Sequence, residues 1–285
     1  MAIKKFIDYI TSDDPNKYPS DGVHTDGFYY KKVTKNTGST TPIEPEPTLP
    51  DAVDGALTFF SEAPFTMCIT NKKKNWDGNL YYSLDNSNWT EWNGEFIDGT
   101  NGIIYMRGVG NTCLNPGSVG SAGAFHFETD TGCFIHCIGI MENLLDYTTT
   151  PTLGRYCYGF IFYGCTNLKT APQLPVTTLA DCCYDSMFYN CVNLIAAPEL
   201  PATTLTDSCY SYMFYNCKSL TTTPELPATT LANGCYQGMF KGCANLITAP
   251  ELPVTTLANY CYSSMFAACT GLRTPPELPA TTLTK

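Results

Sequence analysis

Cys209-Tyr210-Ser211-Tyr212-Met213-Phe214-Tyr215-Asn216-Cys217-Lys218-Ser219-Leu220, continuing as Thr221-Thr222-Thr223-Pro224-Glu225-Leu226-Pro227-Ala228-Thr229-Thr230-Leu231, comes back along the chain every 26 residues. One cysteine column is Cys157, Cys183, Cys209, Cys235 and Cys261, and a second is Cys165, Cys191, Cys217, Cys243 and Cys269. Met-Phe pairs lie between them at 187–188, 213–214, 239–240 and 265–266, with Ile161-Phe162 in the first copy. A leucine column follows at 168, 194, 220, 246 and 272, and prolines recur at 172, 198, 224, 250 and 276. So many columns in register without an insertion is the signature of a stacked repeat array, here five copies and part of a sixth.

Within a copy, Tyr210, Met213, Phe214 and Cys217 stand at i, i+3, i+4 and i+7, the spacing of one helical face. About ten residues of helix, in part 3₁₀, are predicted there. Thr204 three residues before Asp207 reads as an N-cap arrangement and recurs as Thr178/Asp181 and Thr230/Asn233. Leu220 to Leu226 is β-branched and contains Pro224, which predicts a short strand ending at the proline because proline lacks a ladder donor. Stacked copies are then expected to form a narrow parallel sheet on one face and a row of helices on the other.

The pattern Cys-Tyr-x-x-Met-Phe-x-x-Cys-x-x-Leu resembles the BspA-type leucine-rich repeats over roughly residues 153–285. Those repeats are abundant in surface proteins of anaerobic gut bacteria and in the genomes of their phages. The resemblance implies an α/β leucine-rich-repeat solenoid and an adhesive role. The Leu-Pro-Ala-Thr-Thr-Leu segment departs from the usual Ile-Pro-x-x-Val spacing and marks a subtype.

The first half of the chain differs in kind. Residues 1–150 carry 10 Lys/Arg against 19 Asp/Glu, whereas residues 151–285 carry 6 against 7. Residues 1–33 read as a small docking module with Tyr18, Phe28, Tyr29 and Tyr30 as the candidate attachment residues. They resemble short segments of phage tail and fibre proteins. Residues 34–50 read as a Pro/Thr-rich linker. Residues 51–145 read as an all-β, sandwich-like domain, with strand-like runs at Leu57–Phe60, Phe65–Ile69, Leu80–Leu84, Ile103–Met106 and Phe125–Phe127. Met141 to Leu145 read as a helix leading into the repeats, which occupy residues 146–285. The expected fold class is therefore multidomain: N-terminal module, β-sandwich and α/β solenoid.

Composition narrows the function. With 285 residues and 44% apolar content the chain is long enough for more than one core, and 13% aromatic content excludes a fully disordered chain. A net charge of −10 and a pI of about 4.7 are the wrong sign for a nucleic-acid binder. No apolar run approaches the ~18–20 residues of a membrane span, so no membrane insertion is expected. Met1 to Ile10 carry two lysines and an interrupting Asp8, which does not read as an export signal.

Fifteen cysteines are many, but the ten in the columns lie on or beside the apolar stripe. Within a copy they stand eight residues apart, about 12 Å along a helix, too far to bond. They read as a structural ladder of buried thiols. Cys133, His136 and Cys137, with His126 near them, admit a zinc reading, but strand alternation sets His136 opposite the two thiols. Ser83 to Trp89 resembles the sialidase-type Asp box without its glycine, which is a structural motif. Glu199, Glu225 and Glu251 form an acidic column that reads as solvated, and calcium ligation lacks the Asp/Asn companions it needs. No cofactor is expected, and no nucleophile–base motif or phosphate-binding glycine loop supports an enzyme.

Tyr163, Tyr189 and Tyr215 share one column that ends in Lys241 and Ala267, and Tyr212 shares another with Phe160, Ser186, Gly238 and Ser264. Columns that vary between copies face outward, so these tyrosines and the glutamates form the candidate contact surface. The expectation is a non-enzymatic phage virion protein, a fibre or decoration component, assembled in the host cytoplasm. Its partners would be other virion proteins through the N-terminus and a host surface protein or glycan, in a homo-oligomer. Two alternatives stand beside it: a BspA-type adhesin on the bacterial cell surface, and a virion subunit without receptor contact.

Overall fold

Residues 22–23, 29–30, 49–71, 74–114, 123–130 and 132–280 are described in the computed structural model of the chain. Tyr18 and Phe28 of the expected attachment module, and residues 31–48 of the module and linker, lie outside the described residues. The chain divides into two compact units, Met1–Glu46 and Pro47–Lys285. In the first, β1 (Gly22–Val23) pairs antiparallel with β2 (Tyr29–Tyr30), Gly22 opposite Tyr30 and Val23 opposite Tyr29.

The second unit begins with two sheets. Its strands are β3 (Leu57–Phe60), β4 (Phe65–Ile69), β5 (Asn79–Ser83), β6 (Thr90–Trp92), β7 (Ile97–Gly99), β8 (Ile103–Val109), β9 (Phe125–Thr129), β10 (Ile135–Ile138) and β11 (Leu168–Thr170). The larger sheet has the order β11-β10-β3-β8-β5-β6 and the smaller β7-β4-β9. Along β8 every second residue (Ile104, Met106, Gly108) is buried, the alternation of a strand with one face on a core. Phe59 of the large sheet meets Phe125 and Phe127 of the small one at ring separations of 5.5 and 5.1 Å. The same cluster reaches Phe162 of the first repeat, 5.4 Å from Phe125, so one core runs from the sheets into the repeats.

A short helix, α1 (Asn143–Asp146), packs on β8. Buried Asn111 ties the region together: its Nδ2 donates to Asn79 O at 2.8 Å and to Leu144 O at 3.1 Å, and its Oδ1 accepts from Gly78 N at 2.7 Å. Gly108 lets the helix come this close, because a β-carbon there would overlap the carbonyl oxygen of Leu144.

The expected α/β solenoid is not what forms. Among the described residues α1 is a single four-residue helix, and the repeats contribute one strand, the three-residue β11. The repeats do stack, but as rungs of four-residue turns. In the second copy Cys182, Ser186 and Asn190 have φ of 56°, 54° and 62°, and the left-handed position returns at Ser208, Tyr212 and Asn216 and at Gly234, Gly238 and Gly242. Alternate N–H groups then point two ways. Asp185, Met187 and Tyr189 donate within the rung to the carbonyl three residues back, at 3.1, 3.2 and 3.2 Å. Tyr184, Ser186, Phe188 and Asn190 donate to Cys209, Ser211, Met213 and Tyr215 of the next rung, at 3.0, 2.8, 2.9 and 2.8 Å.

An α-helix would turn every one of these donors inward. At about ten residues it would also be marginal by itself. The ladder between copies instead gives each rung that lies between two others hydrogen bonds on both sides and brings equivalent rings face to face. Tyr158, Tyr184, Tyr210, Tyr236 and Tyr262 stack at 5.5–5.9 Å, and Phe162, Phe188, Phe214, Phe240 and Phe266 at 5.3–5.8 Å. The predicted strand after each rung appears only as β11, which pairs parallel with an edge that β10 already provides. Later copies keep isolated bonds such as Ile195 N to Lys169 O (3.2 Å) and Ile247 N to Thr221 O (3.1 Å). Prolines such as Pro198 and Pro250 remove a donor from each of these segments.

Gly108→Ala is expected to lower the unfolding free energy by about 1–3 kcal/mol, the usual cost of forcing atoms into a filled space. Urea unfolding of the variant against the wild type measures it.

Candidate functional site

The tyrosine column stands on the turn geometry just described. Tyr163, Tyr189 and Tyr215 each precede a left-handed residue (Gly164, Asn190, Asn216), and each donates its N–H to the carbonyl three residues back. Their side chains leave the core. Tyr163 is 43% exposed, Tyr189 and Tyr215 are half-buried, and the rings stack at 4.8 and 4.2 Å, within 13° and 5° of parallel. The Lys241 ammonium follows, 5.7 Å from the Tyr215 ring centre. Because the rings cover one another's faces, the row offers edges and hydroxyls to its surroundings. Burial by its neighbours, then its hydrogen bond with Tyr215, pushes the Tyr189 phenol up to about 12, so it stays a donor at any physiological pH.

Tyr212 belongs to the same patch by an edge contact with Tyr215 at 6.1 Å. Its ring lies where a β-carbon of residue 238 would sit, so Gly238 is the space that Tyr212 occupies. Glu199, Glu225 and Glu251 are exposed on the segments between rungs. Among the described residues no group of three or more His, Cys, Asp or Glu gathers to hold a metal ion.

The ten column cysteines are all buried and free. In the second column each thiol donates to a phenylalanine carbonyl of the preceding layer: Cys165 to Phe125 at 2.9 Å, Cys191 to Phe162 at 3.1 Å, Cys217 to Phe188 at 3.2 Å, Cys243 to Phe214 at 3.1 Å and Cys269 to Phe240 at 3.0 Å. Burial pushes the Cys183 and Cys235 thiols up to about 12, far from the thiolate a nucleophile needs. Cys137 is buried on β10 and Cys133 half-exposed before it. His136 packs against Phe60 at 6.3 Å, and His126 sits 3.6 Å from Glu128. The carboxylate of Asp85 is spent on its own loop, accepting from Ser83 Oγ, Ser87 N, Asn88 N and Asn88 Nδ2 at 2.7–2.9 Å, which hold it well below the usual carboxylate range.

Two features had no sequence signal. Arg107 lies between aromatic rings, 3.9 Å from Trp89 and 4.5 Å from Tyr147, a pairing set by tertiary structure alone. An open cleft of about 530 Å³ is lined by Glu128, Asp130, Cys133, Phe134, Asn167 and Asn193, where the β9–β10 turn meets the first two repeats.

Two buried titrating groups set an expected pH dependence. Glu142 is 7% exposed, its Oε1 accepts from Tyr184 Oη at 3.5 Å, and burial raises its carboxyl to about 7. Its contribution is therefore full below the ordinary 4.5 and is lost as pH rises through about 7. His136 runs the other way. Burial, then Lys169, lowers it to about 4, so its contribution is full above 6.5 and is lost as pH falls through 4. Glu142→Gln is expected to gain on the wild type as pH rises from 5 to 8, by up to about 3 kcal/mol. Urea titrations at the two pH values read the difference, and a gap that does not widen contradicts the assignment.

No protein-family model matches the chain, and no curated protein or solved structure matches it.

Proposed function

We propose that this chain is a non-enzymatic virion structural protein, a fibre or decoration component, that displays its stacked repeats to a host surface protein or glycan. The observation that carries the reading is the outward row Tyr163, Tyr189, Tyr215 and Lys241, with Tyr212 against it. Rings locked by mutual stacking lose little rotamer freedom on binding, and their hydroxyls and edges supply directional contacts. The resemblance of the N-terminal segment to tail and fibre proteins supports attachment to a particle through residues 1–33. The chemistry of the described groups supports binding rather than catalysis: the Cys183 and Cys235 thiols are held protonated, and the Asp85 carboxylate is committed to its loop. No helix of the described residues is long and apolar enough to cross a membrane.

Mass spectrometry of density-purified particles is expected to find the chain at a fixed copy number. Its absence there, with display on bacterial cells instead, overturns the virion assignment. On a glycan array and on host cells, Tyr189→Ala with Tyr215→Ala is expected to lower binding at least tenfold while the far-ultraviolet spectrum stays unchanged. Undiminished binding by that folded double variant removes the tyrosine row from the contact surface.

A further inference from the structure

Cys113 belongs to neither cysteine column, yet it meets the first member of one. It follows β8, and its backbone is fixed on both sides. Thr112 N and Cys113 N donate to Asp77 Oδ1 at 2.9 and 3.2 Å. Thr112 O accepts from Gly154 N at 3.1 Å and Leu114 N donates to Cys157 O at 2.9 Å, so the residues flanking Cys113 grip the turn that carries Cys157. Between those two bonds the Cys113 Sγ donates to Arg155 O at 3.5 Å, and the Cys157 thiol hydrogen-bonds with the Cys113 thiol. No disulfide joins the two.

The rest of the first column is spaced differently. Cys183 stands one rung on from Cys157. Like side chains on successive rungs run parallel, as Tyr158 and Tyr184 do with ring centres 5.5 Å apart and planes within 15°. A column thiol thus keeps a full rise from the next one, against ~2.0 Å for an S–S bond. Cys113 comes instead from the sheet side, where a change of its own rotamer moves its sulfur relative to Cys157 without displacing a rung. Access is unequal too: Cys113 is 6% exposed and Cys157 0%. Burial, then the hydrogen bond with Cys113, pushes the Cys157 thiol well up, which keeps it from reacting with an oxidant directly. It is placed to attack a neighbouring sulfur that has already been oxidised.

We propose that Cys113 and Cys157 are a disulfide site, closed by a peroxide, that bonds the first rung covalently to the sheets. The Cys113 sulfur attacks one peroxide oxygen, the O–O bond breaks, one water leaves and Cys113 becomes a sulfenic acid. The Cys157 sulfur then attacks the Cys113 sulfur, the S–O bond breaks, and a second water leaves with the Cys157 thiol proton. Two thiols are oxidised and one peroxide is reduced to water. The new bond lies beside the Leu114–Cys157 hydrogen bond, at the junction where one core runs from the sheets into the repeats. It joins positions far apart in sequence, so it restricts the unfolded chain as well as the junction. It depends neither on the tyrosine row nor on attachment to a particle.

The test uses the full chain, treated with hydrogen peroxide, then unfolded in an alkylating agent and digested with trypsin. Cleavage after Arg155 separates the two cysteines, so a bond between them joins peptide 108–155 to peptide 156–169, and fragmentation places it. Peroxide should slow unfolding in urea by roughly tenfold or more, and dithiothreitol should reverse the slowing. Cys113→Ser removes the bond and should unfold at the same rate with and without peroxide. Cys133→Ser, at a half-exposed thiol outside the pair, should keep both the bond and the slowing. Cys157 recovered as a thiol after treatment, or joined to Cys183 instead, overturns the proposal. So does a Cys113–Cys157 bond that leaves the unfolding rate unchanged.

Discussion

The hydrogen bond from every second N–H of one rung to the carbonyl of the next is the constraint on which the repeat region rests. It fixes the backbone, because a chain that sends alternate donors in two directions needs a left-handed residue at every fourth position. In the second and third copies those positions hold Cys182, Ser186, Asn190, Ser208, Tyr212 and Asn216, none of them glycine. Each such residue carries a local conformational cost. The ladder, the stacked rings and the burial of the Met-Phe pairs must outweigh it together, so the stack and not the single copy is the folding unit. The same geometry accounts for the second cysteine column. Each rung phenylalanine carbonyl there already accepts the N–H three residues on, as Phe188 O does from Cys191 N at 3.1 Å, and the thiol of the next layer takes its remaining lone pair. A cysteine fits because it is small, apolar and a weak donor at once.

At its start the stack needs something that is not a rung. The sheets provide it. Phe125 of β9 takes the place of a preceding rung's phenylalanine, accepting the Cys165 thiol through its carbonyl and meeting the Phe162 ring. The substitution is imperfect in one respect: Phe125 and Phe162 meet edge to face at 66°, whereas Phe162 and Phe188 stack at 11°. The ring geometry of the stack is therefore set by the repeats themselves. The backbone bonds from Leu114 and Phe125, together with β11 on the edge of β10, set its position on the sheets.

Much of this was legible in the sequence, and what was not has a physical reason. The columns identified the buried residues: Tyr210, Met213, Phe214 and Cys217 are all at most 1% exposed. The spacing i, i+3, i+4, i+7 does not separate a helix from four-residue turns, since both return a side chain to the same face. The distinguishing signal lies in the fourth copy, where Gly234, Gly238 and Gly242 stand four apart at the left-handed positions, with Asn190 and Asn216 at the last of these positions in the second and third copies. Three glycines at that spacing oppose a helix and suit a repeated turn. In the sheet region, Leu57–Phe60 and Phe65–Ile69 declared themselves through apolar and aromatic runs. The contribution of Leu168–Thr170 to the same sheet did not, because its partner is set by tertiary contact. The outward tyrosines followed from a column that changes between copies. That they stack on one another depends on the rise between rungs, which no single-copy pattern contains.

The two ends of the stack differ for a reason that no number of copies removes. Each rung takes up the onward donors of the rung before it and presents its own in the same direction. A homogeneous stack is thus polar, with acceptors at one end and donors at the other, and only a segment of different construction can close either. At the acceptor end this chain uses Leu114 and Phe125, residues outside the repeat, and the result is a buried junction with Tyr158 and Phe162 fully covered.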